Sequence, residues 1–137
     1  MSLRIESMMN EQDALQMNAL QLAYLGDSVW ETFVRYELIS RKYNVRHMHR
    51  ECVDLVNARS QARLLLLIQD ILDNIEMDIV RRGRNAHPKH AAPRNQDPDD
   101  YAASTGFEAL FGFLYLTGKD ERIRMLVNHI KEVKDRG

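Results

Sequence analysis

The 137-residue sequence contains little of several features that mark particular classes of protein. Its one cysteine, Cys52, excludes a disulfide bond within the chain and is typical of a reducing compartment. The longest purely aliphatic stretch, Leu64 to Ile68, is too short to cross a bilayer, and the first residues lack the apolar core of a signal peptide. We therefore expect a cytoplasmic protein that makes no contact with a membrane.

The chain also lacks a strong charge of either sign. A net charge of -1 and an isoelectric point near 6.5 argue against a protein that coats nucleic acid indiscriminately. No internal repeat, low-complexity tract or alternating strand pattern is present. Hydrophobic residues make up 45% of the chain, enough for one core at this length, so we expect a single domain over residues 1–137.

Apolar residues recur at helical spacing along most of the chain. This periodicity predicts one or two helices over 12–40 and further helices over 45–57, 58–70, 71–83 and 119–134. Gly83 is well placed to end the fourth of these segments. Gly26, inside the first, costs about 1 kcal/mol relative to alanine, which indicates a close helix approach or room for a ligand. The sequence therefore predicts an all-α fold.

All three prolines, Pro88, Pro93 and Pro98, fall between residues 84 and 100 and predict one long loop. Asp97, near its end, is placed to cap the helix that follows. A cluster of cations overlaps the loop with no acid among them, and it is a candidate phosphate-binding element or simply a solvated loop. Its lysine and arginine members are Arg81, Arg82, Arg84, Lys89 and Arg94.

Two acidic residues are the candidates for chemistry. Glu108 is the only charged residue between Tyr101 and Thr117, and a carboxylate among apolar neighbours is costly to desolvate without a cation, a donor or a cleft. Asp27 also lies in an apolar pattern, and two converging acids would bind a hard divalent cation. The alternatives are an outward-facing Glu108, and an ordinary surface stripe of Asp27 with residues 31 and 35.

Three motifs resemble the ribonuclease III family. The segment Leu22-Ala23-Tyr24-Leu25-Gly26-Asp27-Ser28-Val29 resembles its signature helix, Ser104-Thr105-Gly106-Phe107-Glu108-Ala109-Leu110-Phe111-Gly112 resembles its second acidic helix, and Leu55-Val56-Asn57 also suits the family. The segment Arg81-Arg82-Gly83-Arg84-Asn85-Ala86, followed by Pro93 to Asp97 and Tyr101, resembles the loop of Mini-ribonuclease III, the short bacterial form without a double-stranded-RNA-binding domain. The resemblance extends from about residue 16 to residue 130.

The chain departs from the full-length enzymes at two positions. Ala23 and Thr105 stand where those enzymes have further acids, a reduced set that the short subfamily shares. Glu31 and Asp97 are candidates for outer ligands, although surface pairing and helix capping are the favoured explanations for these two residues.

The resemblance implies a ribonuclease III endonuclease-domain fold that cleaves double-stranded RNA with Mg²⁺ held by Asp27 and Glu108. It further implies RNA contacts by the cation cluster, a homodimer, and maturation of precursor 23S ribosomal RNA during ribosome biogenesis. Whether a ribosomal protein assists is left open by the sequence. The alternative is a noncatalytic RNA-binding or ribosome-associated protein that retains the fold.

Overall fold

The computed structural model describes residues 8–87 and 93–136, and within them the chain is helical, with no strand. The prediction of an all-α fold is confirmed. The helices are α1 (Glu11–Leu15), α2 (Ala19–Ser40), α3 (Val45–Val56), α4 (Ala58–Ile68), α5 (Asn74–Arg84), α6 (Pro98–Leu116) and α7 (Asp120–Arg136). A 3₁₀ turn, Gln69–Ile71, follows α4.

Short polar side chains determine where the helices begin. Asn18 accepts a hydrogen bond from the backbone N–H of Leu20, and the Gln21 side chain accepts one from the Asn18 N–H, so the predicted 12–40 segment is divided into α1 and α2. Asp73 and Glu76 form the same reciprocal cap at the start of α5. The helix predicted from residue 71 therefore begins at Asn74.

Two predictions about helix ends and breaks need correction. Gly83 does not end α5, which continues to Arg84 with Asn85 as its C-cap. Gly83 instead faces α6, because a Cβ atom at this position would lie 2.6 Å from the Cα atom of Gly106. Pro98 does not belong to the loop: it is in the first turn of α6, where the missing N–H breaks no helical hydrogen bond.

Helix α6 is the centre of the fold and packs against α2, α4, α5 and α7. Almost every residue from Ala103 to Leu114 is buried, and the rings of Trp30 on α2 and Phe107 pack nearly perpendicular to each other at a centroid distance of 5.0 Å. On the terminal helix α7, Ile123, Leu126 and Ile130 are buried. Glu108 is the one charged residue within this buried stretch of α6.

A buried ion pair connects α5 to α7. The Arg122 guanidinium donates to both carboxylate oxygens of Glu76, at 2.8 and 2.6 Å, and to the Ile71 carbonyl oxygen at 2.6 Å. The Glu76 side chain is only 3% exposed. This interaction satisfies a carboxylate that would otherwise be costly to bury.

Candidate active site

The crossing of α2 and α6 brings the two predicted acids together. A Cβ atom on Gly26 would lie 1.6 Å from the backbone oxygen of Glu108, and one on Gly112 would lie 1.9 Å from the backbone oxygen of Leu22. Only glycine permits backbones to approach this closely. The close approach expected at Gly26 is therefore confirmed, and it places the neighbouring Asp27 side chain beside Glu108.

The two carboxyl groups interact directly. Asp27 is exposed and Glu108 is partly buried. Burial raises the pKa of Glu108 to about 8, with smaller contributions from a side-chain hydrogen bond to Asp27 and from the negative charge of Asp27. Glu108 therefore does not point outward into solvent, and Asp27 is not merely part of a surface stripe. With this pKa, the Glu108 carboxyl is mostly protonated near neutral pH when no cation is present.

Gln61 is a site residue that the sequence reasoning missed. Its side chain is fully buried, and its Oε1 accepts a hydrogen bond from the Ser104 hydroxyl on α6. The amide interacts with Glu108 and opposes the rise in its pKa, yet Nε2 completes no hydrogen bond among the described residues. One signal was available: Gln61 occupies a position of the α4 apolar stripe that continues through Leu64, Leu65 and Ile68.

The residues present fit a hard divalent cation. Mg²⁺ is commonly held by one or two carboxylates, with waters and substrate phosphates completing its shell. A dication would favour ionised Glu108, which in turn could accept a hydrogen bond from the unpartnered Nε2 of Gln61. In the described parts of the chain, no group of three or more histidine, cysteine or acidic side chains has metal-binding geometry. Asp27 and Glu108 are accordingly the two candidate ligands.

The structure gives both candidate outer ligands other partners. Glu31 accepts a hydrogen bond from Arg35 at 3.0 Å, the surface pairing that the sequence also allowed. Asp97 caps α6, accepting from the N–H groups of Asp99 and Asp100. Asp97 precedes Glu108 by eleven helical positions, roughly 16 Å along the axis, which is too far for an outer ligand of this site.

The predicted cation cluster divides into different environments. Arg82 donates to the carbonyl oxygens of Leu15 and Met17, at 2.9 and 2.6 Å, so its guanidinium is used to hold the end of α1. Arg81 is exposed and pairs with Asp78 on the preceding turn of α5. Arg84 and Arg94 are exposed, and Lys89 lies outside the described residues.

The Arg84 side chain lies close to the helix that carries Glu108. A Cβ atom on Gly106 would be 3.4 Å from the Arg84 Cγ, and Gly106 precedes Glu108 by two residues on α6. Residues two apart on a helix point to different faces, so this contact packs the base of the Arg84 side chain against α6 on a side other than the one that carries the Glu108 carboxylate.

Comparison with known proteins identifies the class to which this fold and site belong. Residues 20–119 match the model of the Ribonuclease III domain, which covers more than half of the chain. A crystal structure of a Fusobacterium nucleatum protein shares the fold, with a TM-score of 0.76 and 30% identity over 82% of this chain and 91% of that one. The chain is thus an endoribonuclease of the ribonuclease III type, a class that acts on double-stranded RNA.

Curated relatives narrow the assignment. The chain is 46% identical to Mini-ribonuclease 3 of Symbiobacterium thermophilum over 124 residues, which cover 90% of this chain and 95% of the relative. It is 47% identical to Mini-ribonuclease 3 of Desulfitobacterium hafniense over 109 residues, 79% of this chain and 68% of the relative. The chain belongs to the Mini-ribonuclease 3 family. In the described parts of the chain, no helix is both long and apolar enough to cross a membrane.

Proposed function

We propose that this enzyme hydrolyses double-stranded RNA with Mg²⁺ held between Asp27 and Glu108. The observation that carries the proposal is the contact of Gly26 with the Glu108 backbone, which brings two acids from distant parts of the sequence into one site. Family membership supports the reaction class. The paired carboxylates support the choice of a hard, oxygen-binding cation.

The protein residues have separate tasks in this proposal. Mg²⁺, when bound, supplies Lewis acidity toward the attacking water and the scissile phosphate. Exposed Asp27 presents its carboxylate to solvent and substrate, whereas partly buried Glu108 fixes the inner side of the site. Glu108 must give up its proton for both carboxylates to hold the ion.

We assign RNA contact to Arg84 and Arg94, with Arg81 as a partly neutralised contributor. These arginines are exposed, and the base of the Arg84 side chain packs against Gly106 on α6. Contacts to phosphates from this side would recognise the shape of an A-form duplex rather than its sequence. Arg82 is omitted because its donors bind the carbonyls of Leu15 and Met17, and Lys89 remains a sequence-based candidate.

We also propose a homodimer formed near the site. Tyr24, on the turn of α2 that precedes Asp27, is 85% exposed, and Leu20 lies one turn earlier at 38%. A two-fold contact through this apolar surface would place two carboxylate sites on one particle, one for each RNA strand. In sedimentation measurements, the wild type should have twice the chain mass of 16.0 kDa, and Tyr24→Glu should have the mass of a monomer. Tyr36→Glu is the control on the same helix, at a position that is 71% exposed, and it should remain a dimer.

The proposed substrate is precursor 23S ribosomal RNA, and the proposed setting is a single catalytic domain acting in the cytoplasm during ribosome biogenesis. The resemblance of the loop and helix motifs to the short bacterial subfamily supports this assignment. Cleavage of a precursor 23S transcript at one mapped position, with and without added ribosomal proteins, tests both the substrate and an accessory partner. Scattered cuts at many positions would contradict a maturation role.

The reaction itself is tested with labelled RNA. A duplex and its separated strands are incubated with the purified protein in Mg²⁺ and in a chelator. The proposal expects endonucleolytic cuts in the duplex that require Mg²⁺. Binding without cleavage in Mg²⁺ would favour the noncatalytic alternative.

A further inference from the structure

The inner wall of the carboxylate site contains an unexplained polar side chain. Gln61 lies on α4 and has no exposed surface. Among the buried side chains that the structure describes, it is the one with a polar atom, Nε2, that has no hydrogen-bond partner. An unsatisfied buried donor costs about 1–3 kcal/mol. An apolar side chain at position 61, in line with the buried apolar residues of α4, would avoid that cost. Core packing alone therefore does not explain why this residue is a glutamine.

The surroundings of the amide show which way it faces. Ser104 and Glu108 are one turn apart on α6, and the Gln61 side chain interacts with both. The Ser104 hydroxyl donates to Oε1, which leaves Nε2 as the end of the amide available to Glu108. An N–H donor directed at a carboxylate is complementary to its ionised form.

We propose that Gln61 is a positioning residue, whose Nε2 holds the Glu108 carboxylate in the orientation that coordinates the divalent cation, with Ser104 fixing the amide. The inference rests on the proposed role of Glu108 as a metal ligand. Metal ligands are generally oriented by hydrogen bonds from neighbouring side chains. Gln61 contacts neither the substrate nor the reacting water in this arrangement and acts only through Glu108.

The test compares three variants. Gln61→Met keeps a similar volume and removes the amide, Ser104→Ala removes the hydroxyl that orients it, and Leu65→Ala is a fully buried control one turn further along α4. Mn²⁺ affinity is measured by calorimetry on the RNA-free protein, and melting temperature by circular dichroism. Cleavage is measured separately as kcat and as KM for a duplex RNA.

We expect Gln61→Met to weaken Mn²⁺ binding roughly 10- to 100-fold and to lower kcat at fixed Mg²⁺, with KM for RNA unchanged. Ser104→Ala should have a smaller effect in the same direction. Leu65→Ala should lower the melting temperature and leave the Mn²⁺ affinity of the folded protein unchanged. A general loosening of the core would instead make metal affinity follow melting temperature across all three variants, and that result would overturn the inference.

Two further outcomes are decisive. If Gln61→Met folds and binds Mn²⁺ like the wild type, Gln61 has no positioning role. If Gln61→Met does not fold, Ser104→Ala is used instead, and wild-type Mn²⁺ affinity in that variant would reject the positioning role. Glu108→Gln is measured in parallel. If Glu108→Gln loses Mn²⁺ binding and Gln61→Met keeps it, the positioning role of Gln61 is rejected and the proposed metal site stands. If Glu108→Gln binds Mn²⁺ normally, the proposed metal site itself is rejected.

Discussion

The backbone oxygen of Glu108 occupies the space that the Cβ atom of residue 26 would need. The ideal position of that atom is 1.6 Å from the oxygen, and residue 26 is glycine. Asp27 is the next residue along α2, so the packing of the fold and the assembly of the carboxylate pair depend on the same close approach. Separating the helices at this point would move Asp27 away from Glu108.

Gly26→Ala is therefore expected to destabilise the protein by about 3 kcal/mol or more, because overpacking against backbone atoms cannot be relieved by side-chain rotation. Urea denaturation of the metal-free protein measures the destabilisation. Ser28→Ala is the control at an exposed position of the same helix, where the change should stay within about 0.5 kcal/mol. A Gly26→Ala protein as stable as the wild type would show that α2 and α6 do not need this approach.

The raised pKa of Glu108 predicts that metal binding releases a proton. With a pKa of about 8, Glu108 is roughly 90% protonated at pH 7, so cation binding should release about 0.9 proton per site. Apparent affinity should rise about tenfold per pH unit below pH 8 and level off above it, because protons then no longer compete. Calorimetry in buffers of different ionisation enthalpy measures the release, and pH-independent affinity between pH 6 and 8 would refute it.

Removing the exposed arginines Arg84 and Arg94 should weaken RNA binding and leave the affinity for the divalent cation unchanged. Replacing both Arg84 and Arg94 with alanine should reduce the affinity for duplex RNA. The slope of log affinity against log salt concentration should become shallower by up to about 0.9 for each phosphate that the protein no longer neutralises, on the scale known for B-DNA. Arg124→Ala, which removes an exposed arginine from α7, is the control. Equal affinity and slope in the double variant and the control would assign the RNA surface elsewhere.

Breaking the buried Arg122–Glu76 ion pair should destabilise the protein far more than breaking the exposed Arg124–Glu121 pair on α7. Arg122→Ala leaves the buried Glu76 carboxylate without its partner and should cost about 3–5 kcal/mol. Arg124, two residues along α7, pairs with the exposed Glu121, and Arg124→Ala should cost no more than about 1 kcal/mol. Similar midpoints in urea for the two variants would contradict this distinction.

Local sequence patterns predicted most of the helices and both carboxylates. Glu108 could be identified because a charge within an apolar helix is visible in the sequence itself. Gln61, Arg82 and Gly83 could not be assigned in this way, because their partners are distant in sequence: Ser104, the carbonyls of Leu15 and Met17, and Gly106, respectively. Periodicity identifies the face of a helix but does not identify the residue that packs against it.

The central claim is that Asp27 and Glu108 jointly hold the catalytic cation, and cleavage by Asp27→Asn and Glu108→Gln tests it most directly. Each change preserves side-chain volume and removes one anionic ligand, so the fold and RNA binding should persist. We expect each variant to bind duplex RNA with near wild-type affinity and to show no Mg²⁺-dependent cleavage in a single-turnover assay. Cleavage at a near wild-type rate by either variant would contradict the account.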